Sequence, residues 1–300
     1  MKTLGGSMKR FIKASVGLLV LLPAAAGWSF TGVSWSQLPA GAREAGLAGG
    51  MSSMADGLQG SRLAPSSLAG LQGMQADASH TQWLQGVTQD QAAFAMDLGN
   101  GLGVGLDVDW LDMGEVEQIT AAGQSNGSLH PTAGAVTLSL GAAVNSNLDA
   151  GLAFRGWRQD LDNENALAGS GSASLGYKLT PSISVVGALV DLGSTLDGDD
   201  LPTTLRFGGS WHSKGGDRIA FEGAAPIGFK DGIDWSTSLQ MPVASVFVVR
   251  GGLLLTAGAL QPTPTIGMSV LVSSWSFDVG YRPSDALGST LNIGLSWAAL

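Results

Sequence analysis

From about Ala76 onward the chain alternates apolar with small or polar residues in short runs. In Leu102-Gly-Val-Gly-Leu-Asp-Val-Asp-Trp110 the positions Leu102, Val104, Leu106, Val108 and Trp110 are apolar. Gly103, Gly105, Asp107 and Asp109 between them are small or acidic. Period-two patterning predicts strands with one apolar and one wet face. The same alternation recurs in Val136-Thr-Leu-Ser-Leu140, Leu148-Asp-Ala-Gly-Leu-Ala-Phe154 and Leu205-Arg-Phe-Gly-Gly-Ser-Trp211. It returns in Ile233-Asp-Trp-Ser-Thr-Ser-Leu239, Trp275-Ser-Phe-Asp-Val-Gly-Tyr281 and Leu291-Asn-Ile-Gly-Leu-Ser-Trp297. Turn clusters separate the runs, such as Asn145-Ser-Asn147, Asp197-Gly-Asp-Asp200 and Lys214-Gly-Gly-Asp217, and Asn100-Gly101 suits a type I′ hairpin turn. Short and long connections are mixed, and about fourteen strands result, as in a barrel with tight turns on one rim and loops on the other.

A soluble sandwich would turn the apolar faces inward, whereas a membrane barrel turns them to lipid and lines its lumen with the polar set. Composition favours the barrel. Only 13% of residues are charged and 45 are glycine, where an ordinary soluble domain carries about a quarter charged residues. Alternation alone then puts Asp107, Asp109, Thr137, Ser139, Asp149, Arg155, Arg206, Asp234, Ser236 and Asp278 on the lumen side. Val243 to Leu260 is nearly all apolar and about as long as a membrane helix. Arg250-Gly-Gly252 in its middle suits a strand ending in a bend better, because a charge at a bilayer centre is costly.

The segment Ser29 to Leu71 does not alternate. Leu38 to Met51 reads as a turn followed by small-residue helix or coil, and Ser61 to Ala69 as a second short helical turn started by Pro65. Small residues permit close backbone packing, as in a segment tucked inside something narrow. Ahead of it, Lys2, Lys9, Arg10 and Lys13 precede the apolar run Ala14 to Leu22 and then Ala24-Ala-Ala26. That order predicts a cleaved export signal over 1–26 and a mature start near Gly27. The expected division is signal 1–26, an N-terminal segment 27–75 and a barrel 76–300.

With no cysteine, neither a disulfide framework nor a lipid-anchored thioether is available. The formal charge of −9 becomes more acidic once the basic signal is removed, and no Lys/Arg cluster offers phosphates a counter-charge, so nucleic acid is not an expected partner. His80, His130 and His212 share no metal-ligand spacing, and Asp197-Gly-Asp-Asp200 lacks the later glutamate of a calcium loop. No nucleophile elbow, P-loop or dinucleotide fingerprint is present in its required setting. The expectation is a non-enzyme with no cofactor and no metal. Trp83, Trp110, Trp211, Trp235, Trp275 and Trp297, several at strand ends, are read as an interfacial aromatic girdle against membrane lipid.

Several short motifs in order carry a resemblance: Leu38 to Gly50 with its Gly-Ala-Arg, Ala55-Asp56, Pro65-Ser-Ser-Leu-Ala69, Leu201-Pro-Thr-Thr-Leu-Arg-Phe-Gly208, Val249-Arg-Gly-Gly252, Asp278-Val-Gly-Tyr281 and Leu287-Gly-Ser-Thr290. The chain resembles the PorV/PorQ family of outer-membrane proteins, within the FadL-type long-chain fatty acid transporter superfamily. It departs at Ala64 and Ser66-Ser67, where the family has an asparagine and Ala-Gly, and at the chain end, which is Trp297-Ala-Ala-Leu300 and not a terminal aromatic. The resemblance implies an all-β outer-membrane barrel of fourteen antiparallel strands with an N-terminal hatch. It further implies one of two roles. One is a component of type IX-like protein export and surface attachment, partnered by a translocon and its cargo. The other is FadL-like transport of hydrophobic small molecules such as long-chain fatty acids.

Compact loops and a polar lumen face favour the export role. A hydrophobic conduit should instead carry apolar side chains at some inward positions and in the hatch. Arg43, Asp56 and Pro65 are the expected hatch residues, with Arg206 and Arg250 facing the lumen and pairing with its acids.

Overall fold

A computed structural model describes residues 34–54, 56–83, 86–119, 123–161, 164–227, 232–283 and 289–299. The expected export signal lies outside them, as do Ala55, Leu287 and Leu300. In chain order the strands are β1 (Met74–Gln82), β2 (Thr88–Gly99), β3 (Leu102–Asp112), β4 (Val116–Ile119), β5 (Ser125–Leu129) and β6 (Thr132–Ala143). Next come β7 (Leu148–Leu161), β8 (Glu164–Thr180), β9 (Ile183–Gly193), β10 (Thr195–Leu196), β11 (Asp199–Asp200) and β12 (Thr204–His212). Then follow β13 (Arg218–Pro226), β14 (Asp234–Ala244), β15 (Phe247–Leu255), β16 (Thr263–Val272), β17 (Trp275–Arg282) and β18 (Thr290–Ala299). Fourteen of these close one antiparallel barrel, sealed where β1 pairs with β18 from Met74↔Ala299 to Gln82↔Leu291. The pairs β4–β5 and β10–β11 are separate hairpins on the connections.

Turns at 100–101, 144–147, 181–182, 213–217, 245–246 and 273–274 form one rim, which also holds Met74 and Ala299. At the opposite rim the strands end at Gln82, Asp112, Gly193, Pro226, Leu255 and Arg282, and the connections that follow these are mostly longer in sequence. At the first tight turn Asn100 and Gly101 both have positive φ (55° and 74°), as a type I′ turn requires.

The alternation fixes which side faces where. On β3, Leu102, Leu106, Val108 and Trp110 are exposed while Gly103, Gly105, Asp107, Asp109 and Leu111 are buried. All ten expected lumen residues lie in the inward register. The outer wall presents large apolar side chains such as Phe154 and Leu167 at 64% and 76% exposure. A single closed sheet with its apolar face outward is not a soluble sandwich; in a bilayer that face is covered by acyl chains.

Trp110 and Trp235 stand outward near the long-loop rim, and Trp211, Trp275 and Trp297 outward near the short-turn rim. Trp235 stacks on Phe221 (5.0 Å) and meets Phe207 edge-on (5.6 Å) above Gly223, where any Cβ would lie 2.6 Å from the Phe207 ring. Trp83 departs from the expected girdle. It continues the inward register of β1, donates from Nε1 to Gln89 Oε1 (3.0 Å), and packs on a buried cluster inside the barrel. The wet position for its indole N–H is a lumen amide, not the lipid interface.

Arg250-Gly-Gly252 differs from expectation too. β15 runs straight through it, and the bend falls at 245–246 instead. Gly252 is demanded by packing, since its Cβ would lie 2.7 Å from Ala48 Cβ and 2.9 Å from Leu47 C.

An inner segment and the lumen it divides

The described residues of 34–71 belong to no barrel strand and occupy the interior. They fold as a 3₁₀ turn Ser34–Gln37, α1 (Ala42–Gly46), α2 (Met51–Met54) and 3₁₀ turns Gly57–Gly60 and Pro65–Gly70. The small residues let this segment touch the wall at backbone distance. Inward glycines form its seats. A Cβ on Gly151 would lie 2.2 Å from Ser66 N, on Gly103 2.3 Å from Leu68 O, and on Gly141 2.6 Å from Pro65 O. On the far side, a Cβ on Gly280 would lie 2.3 Å from Ala42 O and one on Gly267 3.1 Å from Gly46 Cα.

Polar side chains of the wall then satisfy the segment's backbone, which has no ladder of its own. Ser238 Oγ donates to Leu47 O (2.6 Å), Thr265 Oγ1 to Gly46 O (3.1 Å) and Ser79 Oγ to Ala40 O (2.7 Å), while Ser66 N donates to Ser174 Oγ (2.8 Å). Glu222 accepts from Ser52 Oγ, Ser53 N and Ser53 Oγ, each at 2.6 Å. Within the segment, Arg62 holds both Glu44 oxygens (2.9 and 2.8 Å), tying α1 to the chain ahead of the last 3₁₀ turn. Burial works against the Arg62 charge, but Glu44, then Asp109 and Asp107, outweigh it and hold the guanidinium above its ordinary value. In the wall, Arg155 pairs with Asp191 (3.1 Å) and lies 5.0 Å over the Trp157 ring. Asp191 reaches inward from a bulge where its own φ is +57°.

The five residues singled out in the sequence are distributed around the segment and do not converge on one site. Arg250 pairs with Asp278 (3.1 Å) and donates to Gln240 (2.9 Å). Arg206 donates to Gly49 O (2.9 Å) and approaches Glu222 at 3.4 Å. Pro65 is buried on Gly141 and Gly151. Asp56 meets Arg218 (2.7 Å) at the short-turn mouth with most of its side chain exposed. Arg43 donates to Gln59, and its Nε is sealed from solvent without a partner. Burial, followed by the positive charges of Arg250 and Arg218, pulls its guanidinium down to about 10. With one hydrogen-bond partner and a bare Nε, this buried charge gains little over its desolvation. Arg43→Met, which keeps the aliphatic stem, should change stability by less than about 1 kcal/mol in guanidinium unfolding.

The segment leaves a chamber toward each rim among the described residues. One of about 580 Å³ opens at the short-turn rim, lined by Ser52, Asp56, Ser67, Lys178, His212 and Arg218 among others. One of about 130 Å³ lies toward the long loops, beneath β9 and β12–β17. Beside it, beneath β3 and β6–β8, sits an apolar cluster of Trp35, Leu111, Ala133, Ala135, Trp157, Leu196 and Leu201, with Leu38, Trp83 and Met113 packed against it. Trp35 and Trp157 meet edge to face at 5.3 Å. Sequence reasoning missed Glu222, the Glu44–Arg62 pair, Asp191 and this cluster. The inward register would have flagged Leu111, Trp157 and Glu222, but nothing local joins them to residues far away in the chain. Among the described residues no group of three or more His, Cys, Asp or Glu could hold a metal ion.

No family model matches the chain, and no curated protein matches it. Solved structures do. The toluene transporter TodX of Pseudomonas putida aligns with a TM-score of 0.63 at 12% identity, over 86% of this chain and 97% of that one. The toluene transporter TbuX of Ralstonia pickettii gives 0.59 at 11% identity, over 86% and 97%. The monoaromatic hydrocarbon channel CymD gives 0.61 at 13% identity, over 90% and 99%. At these identities the likeness is one of fold: the barrel is of the kind these channels have.

Proposed function

We propose that the chain is an outer-membrane channel for hydrophobic small molecules, with residues 34–71 acting as the hatch that closes its lumen. The observation that carries this reading is the apolar cluster at the long-loop mouth. A conduit for hydrophobic solutes needs apolar side chains inward and in the hatch; Leu111 and Trp157 provide them from the wall, Trp35 and Leu38 from the inner segment. The likeness in fold to channels for toluene and monoaromatic hydrocarbons supports the same role. The polar lumen that favoured protein export is here largely consumed in holding the segment. The sequence resemblance therefore fits better through its transporter branch, and no comparison supports a translocon partner.

The test is uptake of labelled toluene and oleate by cells that lack other channels for them. Expression of the protein should raise uptake of at least one, and Trp157→Ala should lower it severalfold. Native mass spectrometry of the protein from its own membrane provides the opposite arm. A stoichiometric protein partner with no retained small molecule, and no gain in uptake, would return the export reading.

A further inference from the structure

The long-loop chamber holds four guanidinium groups, of which two are fully matched. Arg62 is held by both oxygens of Glu44, and Arg155 by both oxygens of Asp191 (3.3 and 3.1 Å). The other two, Arg206 and Arg282, differ. Glu222 is already filled by Ser52 and Ser53, so Arg206 reaches it only at 3.4 Å, and Arg206 Nε is buried with no partner. Arg282, the last inward position of β17, makes no side-chain hydrogen bond or close ion pair among the described residues although it lines the chamber. Asp234 is a further acid of the same chamber, placed one strand beyond Ala224, the register partner of Arg206. Its Oδ1 is already occupied by Ala257 N (2.7 Å). The rest of the wall is mixed: Pro39, Leu63, Pro202, Pro226 and Leu254 give it apolar patches, between polar positions such as Thr204, Ser236 and Thr265. The buried Nε of Arg206 is expensive to leave open unless something fills it, and the half-buried Arg282 faces the same chamber. The volume of about 130 Å³ is near that of a cavity of about 150 Å³ able to hold benzene.

We propose that this chamber binds a small organic carboxylate, up to about the size of benzoate, with its carboxylate on Arg206 and Arg282 and its apolar body against the prolines and Leu254. The proposal rests on the channel reading and narrows it: the passenger is a small amphiphilic acid, and the chamber selects for its charge. Guanidinium and carboxylate match in shape and charge, which a neutral hydrocarbon would leave unused.

The test is equilibrium dialysis of the full protein in detergent with benzoate, its neutral analogue benzamide, and toluene. Benzoate should bind about tenfold or more tightly than benzamide, as charge-assisted bonds require. Arg282→Gln breaks no side-chain hydrogen bond or close ion pair among the described residues, so it should fold, shown by unchanged heat-modifiable migration. It should weaken benzoate about tenfold and leave benzamide unmoved. Asp234→Asn, which removes the competing carboxylate, should tighten benzoate. Equal binding of benzoate and benzamide, or a folded Arg282→Gln that binds benzoate as the parent does, overturns the proposal. Binding of toluene alone overturns the carboxylate site and leaves the channel standing. No binding of any of the three, together with no gain in uptake, removes both.

Discussion

A leucine at Gly151 should unseat the inner segment and leave the barrel folded. The glycine is on the inward face of β7, and its missing Cβ would lie 2.2 Å from Ser66 N and 2.3 Å from Pro65 C. Both are backbone atoms at the start of the 3₁₀ turn Pro65–Gly70, so no side-chain rotation relieves the clash. The hydrogen bond from Ser66 N to Ser174 Oγ (2.8 Å) goes with it. Overpacking of this kind costs about 1–3 kcal/mol, enough to shift a closed-to-open ratio by about tenfold or more. The lipid face and the ladder of β7 are untouched, so heat-modifiable migration should persist. Conductance in planar bilayers should rise severalfold, and protease should cut within 34–71 of the folded protein. Gly156→Leu is the control, because that glycine faces outward with nothing within 4 Å of its Cβ position. If Gly151→Leu and Gly156→Leu behave alike in conductance and proteolysis, the seat at Gly151 does not hold the segment.

The barrel was legible because its signal is local and repeated. Each strand carries its own period-two pattern, so β3 reads correctly from Leu102 to Trp110 without knowledge of its neighbours. The inward face followed from the same parity, down to Arg155 and Asp278. Trp83 misled because residue type and position at a strand end suggest an interface, whereas parity puts its indole inside. Arg250-Gly-Gly252 misled for a related reason. Glycine in a strand reads as a break, yet Gly252 is small so that Ala48 can approach. The inner segment has no period, and many of its partners lie more than 100 positions away in the chain, as with Ser66–Ser174 and Gln59–Ser296. Motif resemblance located Arg43 and Pro65 in it, but could not say that Arg62, outside every motif, forms its buried ion pair. The proposed transport role rests on Leu111 and Trp157, inward apolar residues whose meaning appears only when Trp35 and Leu38 pack beside them.

That ion pair gives the second large effect. Arg62→Met should destabilise the protein by about 3–5 kcal/mol. Arg62 and Glu44 are both buried, and the loss of the guanidinium strands the Glu44 carboxylate, whose remaining described partner is Ala40 N at 3.2 Å. Asp107 and Asp109 face the same region from β3, each with one buried oxygen that accepts no hydrogen bond. Both lose the positive charge that offsets them. Replacing the pair together, Arg62→Met with Glu44→Leu, separates two possible origins of the cost. An isolated pair swapped for apolar residues is often neutral or even stabilising, so full recovery would mean that Arg62 serves Glu44 alone. Because Asp107 and Asp109 stay behind, recovery should be partial, and adding Asp107→Asn should restore more. The measurement is guanidinium unfolding of the refolded protein in detergent, read by tryptophan fluorescence. A single Arg62→Met with an unchanged midpoint would mean that water reaches Glu44 and that the segment is not packed as a dry core. A double variant as stable as the parent would remove the aspartates from the account. With both costs present, one arginine holds the inner segment to itself and to the acidic stripe of β3, while the glycine seats set where that segment lies.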